Sequence, residues 1–145
     1  MGSLNLPASG LIYLDTSPII YGVEKTPDFY PLLLPLWQAA KSGQIGLATS
    51  ELTLLETLVV PLRQKDTVLI DAFERALTAA ETELVPISIG LLRDAAQLRA
   101  DTNLKTPDAI HAATALAEGC VQFITNDPAF RRVTGLNVVV LSDLI

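Results

Sequence analysis

The stretch LIYLDTS at residues 11–17 is a short apolar run that ends at a carboxylate followed by two hydroxyls. A run of this kind is typical of a strand that is buried on both faces of a parallel sheet. Asp15 then has two interpretations. It either belongs to the start of a helix, with Ser17 as the cap and Pro18 at the first helical position, or it is a functional acid at the end of a strand. The rest of the chain has to distinguish them.

The same pattern of short apolar runs recurs along the chain. Further strands are predicted at residues 45–49, 83–88, 121–125 and 137–141. Helical patterns lie between the strands, at residues 17–23, 28–41, 50–63, 65–80, 89–100 and 106–118. Strand and helix in alternation predict an α/β fold with an open parallel sheet of about five strands and helices on both sides.

Local signals support two of the helix ends. Thr106, Pro107 and Asp108 give a capping residue, a proline at the first helical position and an acid in the first turn. Gly119 follows the last helical residues and is expected to end that helix. Gly43 is expected to end the segment at 28–41 in the same way.

Length and composition indicate a single domain. The chain has 145 residues, of which half are apolar. The domain is predicted to span residues 11–145, after an N-terminal extension at 1–10 whose MGS start is typical of a cloning remnant. The extension has no pattern of a secretory signal, and the most apolar window, residues 30–37, is too short to cross a bilayer. A soluble cytoplasmic protein is therefore expected.

The negative net charge of the chain limits how it could bind a nucleic acid. The chain carries a formal charge of −6 and has a sequence pI near 4.6. This balance argues against a protein that holds nucleic acid through a general positive field. A basic partner chain, a few placed Arg and Lys residues, or metal ions would have to supply local positive charge.

Two acids are predicted at the carboxyl ends of strands, where parallel sheets form their binding crevice. Asp15 ends the first predicted strand, and Asp127 follows the strand at 121–125 in the segment ITNDPAF. Asn126-Asp127-Pro128 is also ordinary turn chemistry. Two acids at two strand ends favour a shared site.

A third acid lies on the helical segment at 50–63. A helical wheel places Leu52, Leu55, Val59 and Leu62 on one apolar stripe and Glu56 at its edge, where a carboxylate is partly desolvated. An acid that reaches from the stripe edge to water is the simpler interpretation.

A fourth acid begins the helix at 106–118. In the first turn, the negative charge of Asp108 interacts favourably with the positive end of the helix dipole, which is the simpler interpretation. However, the alanine-rich face of this helix lets its N-terminal end approach the sheet closely. His111, the single histidine, follows three residues later and is assigned a packing or surface role. Cys120 is interpreted as a buried, unreactive thiol; as the single cysteine it excludes an intramolecular disulfide and a thiolate metal cage.

Four motifs together resemble the PIN domain family, particularly its single-domain VapC-like toxins. They are Asp15 in LIYLDTS, Glu56 in TSELTLLETL, Asp108 in TPDAIHAATAL and Asp127 in ITNDPAF. None is specific alone, but all four occur in the family's order and spacing, and the resemblance covers residues 11–141. It implies a three-layer α/β/α sandwich, a metal-dependent endoribonuclease, the toxin of a toxin–antitoxin pair, and a homodimer.

The resemblance also assigns roles to residues. Asp15, Glu56 and Asp108 match the three near-invariant acids and Asp127 the more variable fourth, as catalytic residues and ligands of Mg²⁺ or Mn²⁺, with Glu56 acting directly or through water. The polar residues that match the family's supporting positions are Thr16, Ser17, Thr125 and Asn126. Arg131 and Arg132 follow Asp127 and are candidates to bind phosphate, although surface arginine pairs are usually solvated charge.

The charges of these acids require an explanation. Two carboxylates about 4 Å apart at an effective dielectric near 20 repel by roughly 4 kcal/mol. Divalent cations with oxygen ligands would offset that repulsion and supply the positive charge that a phosphodiester needs. The expected reaction is in-line attack on phosphorus by water activated at the metal, with an RNA substrate.

Three alternatives differ in function. The first is a PIN-like module with weak or lost catalysis that acts through protein or RNA binding. The second is an inert complex in which a small basic antitoxin fills the acidic crevice. The third, another α/β fold with acids at strand ends, is disfavoured. A receiver domain would need an acid after the third strand and a lysine after the fifth, and a haloacid-dehalogenase-type phosphatase would need aspartate at Ser17.

Overall fold

The computed structural model describes residues 2–145, and it contains one sheet of five parallel strands. They are β1 (Leu11–Leu14), β2 (Gly46–Ser50), β3 (Thr82–Val85), β4 (Gln122–Thr125) and β5 (Val138–Val140). Their order in the sheet is β3-β2-β1-β4-β5. The predicted five-stranded parallel sheet is confirmed. The chain leaves β1 on one side toward β2 and returns on the other at β4, so the strand order reverses beside β1, where binding crevices form in such sheets.

Six α-helices correspond to the six predicted helical segments. They are α1 (Thr16–Val23), α2 (Tyr30–Lys41), α3 (Glu51–Gln64), α4 (Thr67–Leu77), α5 (Ile89–Thr102) and α6 (Thr106–Ala117). Short 3₁₀ helices at Pro128–Arg132 and Leu141–Leu144 follow β4 and β5. None of the helices within residues 2–145 combines the length and the apolar character that a membrane crossing requires.

The two faces of the sheet carry separate cores. Ile12, Leu14 and Ile124 pack with residues of α1, α2 and α4, such as Leu33 and Phe73. The opposite face packs with α5 and α6. On that face Tyr13 stacks on Phe123 with ring centroids 5.0 Å apart. The predicted three-layer α/β/α arrangement is confirmed.

Two predicted helix caps are wrong. The N-cap of α1 is Asp15, whose side chain accepts the backbone N–H of Thr16, so Ser17 lies within the helix. Asp15 takes this position because its own backbone N–H is bound to Ile124 O at 3.0 Å, which keeps it extended at the end of the sheet. The N-cap of α6 is the extended Lys105 rather than Thr106. Asp108 is therefore the third helical residue.

The predicted apolar stripe of α3 packs against the core only at Leu52. Leu55 is 61% exposed, Val59 40% and Leu62 56%. The buried residues of α3 are Thr53, Thr57 and Pro61. The helix is anchored by small side chains because the Thr53 hydroxyl lies 2.6 Å from that of Thr49 at the end of β2. A helical wheel locates apolar side chains but not the face that packs, and here Leu55, Val59 and Leu62 point to solvent.

The N-terminal residues, set apart in the sequence analysis, contact the domain. Leu4 is buried in the core that contains α1 and α2. The backbone N–H of Gly2 donates to Leu144 O at 2.8 Å, and Gln122 donates to Asn5 O at 3.0 Å. Met1 lies outside the described residues, so the suggestion of a cloning remnant is untested there.

Candidate active site

Asp15 lies at the end of β1 and is 7% exposed. Its Oδ1 accepts the backbone N–H of Thr16 at 2.8 Å, and its Oδ2 accepts the hydroxyl of Thr125 at 2.7 Å. The second contact follows from the register, which pairs Leu14 with Ile124 and so brings the next residues of β1 and β4 together. Asp15 is therefore a helix cap and a member of the strand-end crevice at once.

Glu56 projects from α3 toward the same crevice and is held by two side chains. Its Oε1 accepts the hydroxyl of Thr16 at 2.8 Å and lies 2.7 Å from Nε2 of His111. Burial alone would raise the pKa of Glu56, but the hydrogen bonds and charge from His111 and the bond from Thr16 outweigh it and lower the pKa. Glu56 is therefore a half-buried carboxylate that keeps its charge.

Asp108 faces the other acids without a compensating cation. Burial raises its pKa, and the negative charges of Asp15, Asp127 and Glu56 raise it further, against an opposing effect of His111. No ion pair within residues 2–145 joins Asp108 to a basic side chain. Asp15, Asp127 and Glu56 are thus near enough to act on Asp108 electrostatically.

Asp127 follows β4 and is exposed. Its Oδ1 accepts the N–H of Ala129 at 2.9 Å, which caps the 3₁₀ helix at Pro128–Arg132. Its backbone N–H donates to the hydroxyl of Thr125 at 3.0 Å. Thr125 therefore links the two acids that follow β1 and β4, and the turn interpretation of Asp127 is compatible with a place in the crevice.

The predicted supporting residues divide into two groups. Thr16 and Thr125 donate to the carboxylates of the crevice. Asn126 instead donates to the hydroxyl of Tyr21 and accepts from Ser142, so it ties the loop after β4 to α1 and to the C-terminal 3₁₀ helix. Ser17 is half-buried in the first turn of α1, where Thr16 makes the contact with Glu56.

The two arginines of the segment after β4 differ in their pairing. Arg131 forms an ion pair with Asp143, which occupies part of its hydrogen-bonding capacity. Arg132 is exposed. Binding of phosphate by either residue stays a prediction.

His111 and Tyr13 are the site residues that the sequence interpretation missed. His111 is 1% exposed. Its ring contacts Glu56 through Nε2 and the hydroxyl of Tyr13 through Nδ1. The spacing of His111 three residues after Asp108 was a signal, because residues so spaced share a helix face. Nothing local marks Tyr13, which is 98 positions away.

Cys120 fits its predicted inert role. Burial, followed by the charges of Glu118 and Glu83, raises the pKa of its thiol to about 12. The thiolate is therefore scarce at neutral pH.

The fit of the acids to a metal ion depends on how many of them bind it directly. Their carboxylate oxygens are the ligands that Mg²⁺ and Mn²⁺ prefer. However, no group of three or more His, Cys, Asp and Glu side chains within residues 2–145 lies close enough to hold one ion. Magnesium usually binds through one or two carboxylates and keeps several waters. The donor set therefore fits a cation that is held partly through water.

An apolar groove lies elsewhere in the molecule. A groove of about 440 Å³ between α1, α2 and α4 includes Ile19, Leu34 and Trp37 in its wall and none of the four acids. The acids instead follow the strand ends, so they lie outside this groove.

Comparison with protein families gives a match to the PIN domain over residues 12–136. The chain belongs to the PIN domain family. The resemblance inferred from the four acidic motifs is thereby confirmed, and the PIN match spans all four acids. No curated protein matches the chain.

Solved structures share the fold of this PIN domain. A chain of VapBC2 from Rickettsia felis, bound to a DNA fragment from its promoter, superposes with a TM-score of 0.72 at 22% identity over 90% of this chain and 98% of that chain. A toxin–antitoxin complex from Klebsiella pneumoniae gives 0.64 at 24% identity, over 89% and 96% of the two chains. A protein of Pyrobaculum aerophilum gives 0.61 at 13% identity, over 94% and 90%.

Proposed function

We propose that this PIN domain is a metal-dependent endoribonuclease that hydrolyses RNA phosphodiester bonds and is the toxin of a toxin–antitoxin pair. The observation that supports the proposal is that Asp15 Oδ1 and Glu56 Oε1 lie 3.5 Å and 2.7 Å from the same His111 Nε2, at the strand ends. Burial, and then the negative charges of Asp15 and Asp127, raise the pKa of Asp108. A divalent cation is the simplest partner for such a cluster.

Asp15, Asp108 and Asp127 would hold Mg²⁺ or Mn²⁺ partly through bound waters, with Glu56 directly or through water. When bound, such an ion makes water a better nucleophile and stabilises the charge that develops on the phosphoryl oxygens. The chain's own contribution is orientation. Thr125 fixes Asp15, whereas Thr16 and His111 fix Glu56. The charged Glu56 can accept a hydrogen bond from the attacking water and orient it toward phosphorus.

The acidic net charge shapes how RNA would be held. At −6 the chain has no general attraction for a polyanion. Phosphate binding would therefore depend on the cation and on a small number of basic side chains. Arg132, exposed five residues after Asp127, is the first candidate.

Two kinds of protein partner are proposed. Structures of toxin–antitoxin complexes share the fold, and a basic side chain of a small antitoxin would satisfy the uncompensated acids around Asp108. A second copy of this chain would cover the exposed stripe of α3 formed by Leu55, Val59 and Leu62.

A second function is a PIN module that acts through protein or RNA binding with weak or lost catalysis. This second function is favoured because no three His, Cys, Asp or Glu side chains within residues 2–145 lie close enough together to hold one metal ion. The hydrogen bonds that orient Asp15 and Glu56 favour catalysis, because a binding module has no need for oriented carboxylates.

The deciding experiment is cleavage of defined RNAs by the purified protein with Mg²⁺ or Mn²⁺, with chelator and Asp15→Asn as controls. Asparagine is also a good helix cap, so Asp15→Asn should fold. We expect cleavage by the wild type that both controls abolish. Equal cleavage by Asp15→Asn would show that the activity comes from something else, and metal-independent binding without cleavage would favour the second function.

A further inference from the structure

His111 has a buried ring with both nitrogens engaged. Nδ1 lies 2.6 Å from the hydroxyl of Tyr13, and Nε2 lies 2.7 Å from Oε1 of Glu56. Nε2 also lies 3.5 Å from Oδ1 of Asp15. The ring therefore lies between Tyr13 of β1 and the carboxylates of Glu56 and Asp15. Membership of the PIN family does not by itself assign this position to a histidine.

The contacts of Tyr13 determine which nitrogen of His111 carries the proton. The backbone N–H of Ser50 donates to the hydroxyl oxygen of Tyr13 at 3.1 Å. The hydroxyl proton of Tyr13 is then directed to Nδ1. A tyrosine hydroxyl has an ordinary pKa of about 10 and therefore keeps its proton at neutral pH. A neutral His111 that accepts at Nδ1 must carry its own proton on Nε2.

The Nε2 proton of His111 points to the carboxylate of Glu56. An ionised Glu56 can only accept, so the short contact of Oε1 with Nε2 is a hydrogen bond donated by His111. Thr16 donates to the same oxygen. With Oε1 bound twice, Oε2 has no hydrogen bond within residues 2–145 and is left for water or substrate.

We propose that Tyr13 and His111 are positioning residues for Glu56: Tyr13 fixes the tautomer of His111, and the Nε2 proton of His111 fixes the carboxylate that orients the nucleophile. The claim that Glu56 orients the nucleophile rests on the proposed nuclease function. The claim that Tyr13 fixes the tautomer of His111 does not depend on that function. Supporting partners of this kind typically change activity by about 10–100-fold when they are removed.

The test uses the fact that the chain has one histidine. In ¹⁵N-labelled full-length protein without a tag, the side-chain spectrum of His111 is a single spin system whose ¹⁵N shifts report which nitrogen carries a proton. We expect a protonated Nε2 and an unprotonated Nδ1 in the wild type. Tyr13→Phe keeps the ring on Phe123 but removes the donor to Nδ1, so only Glu56 favours the Nε2 proton and the share of the other tautomer should rise.

Cleavage kinetics complete the test. We expect Tyr13→Phe to lower kcat by about tenfold with KM within about twofold, and His111→Gln, which keeps a donor, to retain more activity than His111→Leu. Tyr21→Phe is the matched control, because its hydroxyl serves Asn126 rather than Glu56. Thermal unfolding should show that all variants fold.

The outcomes separate the two proposals. A wild-type spectrum with the proton on Nδ1, or an unchanged spectrum in Tyr13→Phe, overturns the positioning role whatever the enzyme does. A changed tautomer with unchanged kcat overturns it as well. The expected spectra in a wild-type protein that cleaves no RNA would support the assignment of Tyr13 and His111 and would refute the nuclease proposal alone.

Discussion

The hydroxyl of Thr125 donates a 2.7 Å hydrogen bond to Asp15 Oδ2, although the two residues stand 110 positions apart. The contact exists because β1 and β4 are neighbours in the sheet and end at the same level. Thr125 also accepts the backbone N–H of Asp127. One buried hydroxyl thus orients one acid and the backbone of another.

Thr125→Val should reduce both stability and cleavage. The substitution keeps the shape of the side chain but leaves the N–H of Asp127 without its acceptor and Asp15 Oδ2 without its donor. A lost buried partner costs about 1–3 kcal/mol, and activity should fall by about 10–100-fold. Urea unfolding and cleavage rates measure the two effects.

Thr114→Val is the matched control for that variant. Thr114 is equally buried, but its hydroxyl binds Ile110 O in its own helix. We expect cleavage by Thr114→Val close to that of the wild type. Wild-type cleavage by Thr125→Val would show that the contact with Asp15 is irrelevant to the reaction.

Asp108→Asn should make the apo protein more stable at neutral pH. The pKa of Asp108 is raised, first by burial and then by Asp15 and Asp127, so ionisation of Asp108 costs stability once the pH exceeds its unfolded pKa. The stabilising contribution of the protonated form is complete below the unfolded pKa and is lost as the pH rises through the folded pKa. The gain in Tm should be clear at about pH 7 and should vanish below about pH 4. An equal gain at both pH values would contradict this origin.

The sequence predicts the elements of this fold well because their signals are local. Short apolar runs mark the strands, and the helical segments between them recur in the structure with ends shifted by a few residues. Asp15 shows the limit of such signals. Its two interpretations, cap and functional acid, looked exclusive in the sequence, whereas the extended backbone at the end of β1 lets one carboxylate cap α1 and also accept a hydrogen bond from Thr125.

Contacts between distant segments account for what the sequence did not show. The hydrogen bond between Tyr13 and His111 depends on how closely α6 approaches β1, which no local pattern encodes. The predicted orientation of α3 was wrong for a related reason. Thr53 and Thr57, which the wheel counts as polar, are buried, Thr53 against Thr49 of β2, and Leu55 is exposed. The four acids were recognised through their family spacing, not through geometry.

Added Mg²⁺ or Mn²⁺ should stabilise the wild-type protein. An ion that binds only the folded state at about 100 times its Kd adds about 2.7 kcal/mol. The shift in Tm should disappear with chelator and shrink strongly in Asp15→Asn, which lacks one charge of the crevice. The buffers should be free of Ca²⁺, so that no other divalent cation competes. Asp71 pairs with Arg75 on the surface of α4, so an unchanged shift in Asp71→Asn would exclude a general salt effect. Equal shifts in both variants would place the ion outside the crevice.

The exposed stripe of α3 should govern self-association. Leu55 and Leu62 lie on one face of the helix and would be buried by a second copy of the chain. Each leucine side chain that becomes fully buried contributes about 1.5–3 kcal/mol, so Leu55→Ser with Leu62→Ser should raise the dimer dissociation constant by at least about a hundredfold. Size-exclusion chromatography with light scattering should give a wild-type dimer and a monomeric double variant. Val68→Ser removes a strongly exposed apolar residue of α4 outside the stripe and should remain dimeric. A monomeric wild type at high concentration would leave the stripe without a second copy and would rule out the homodimer.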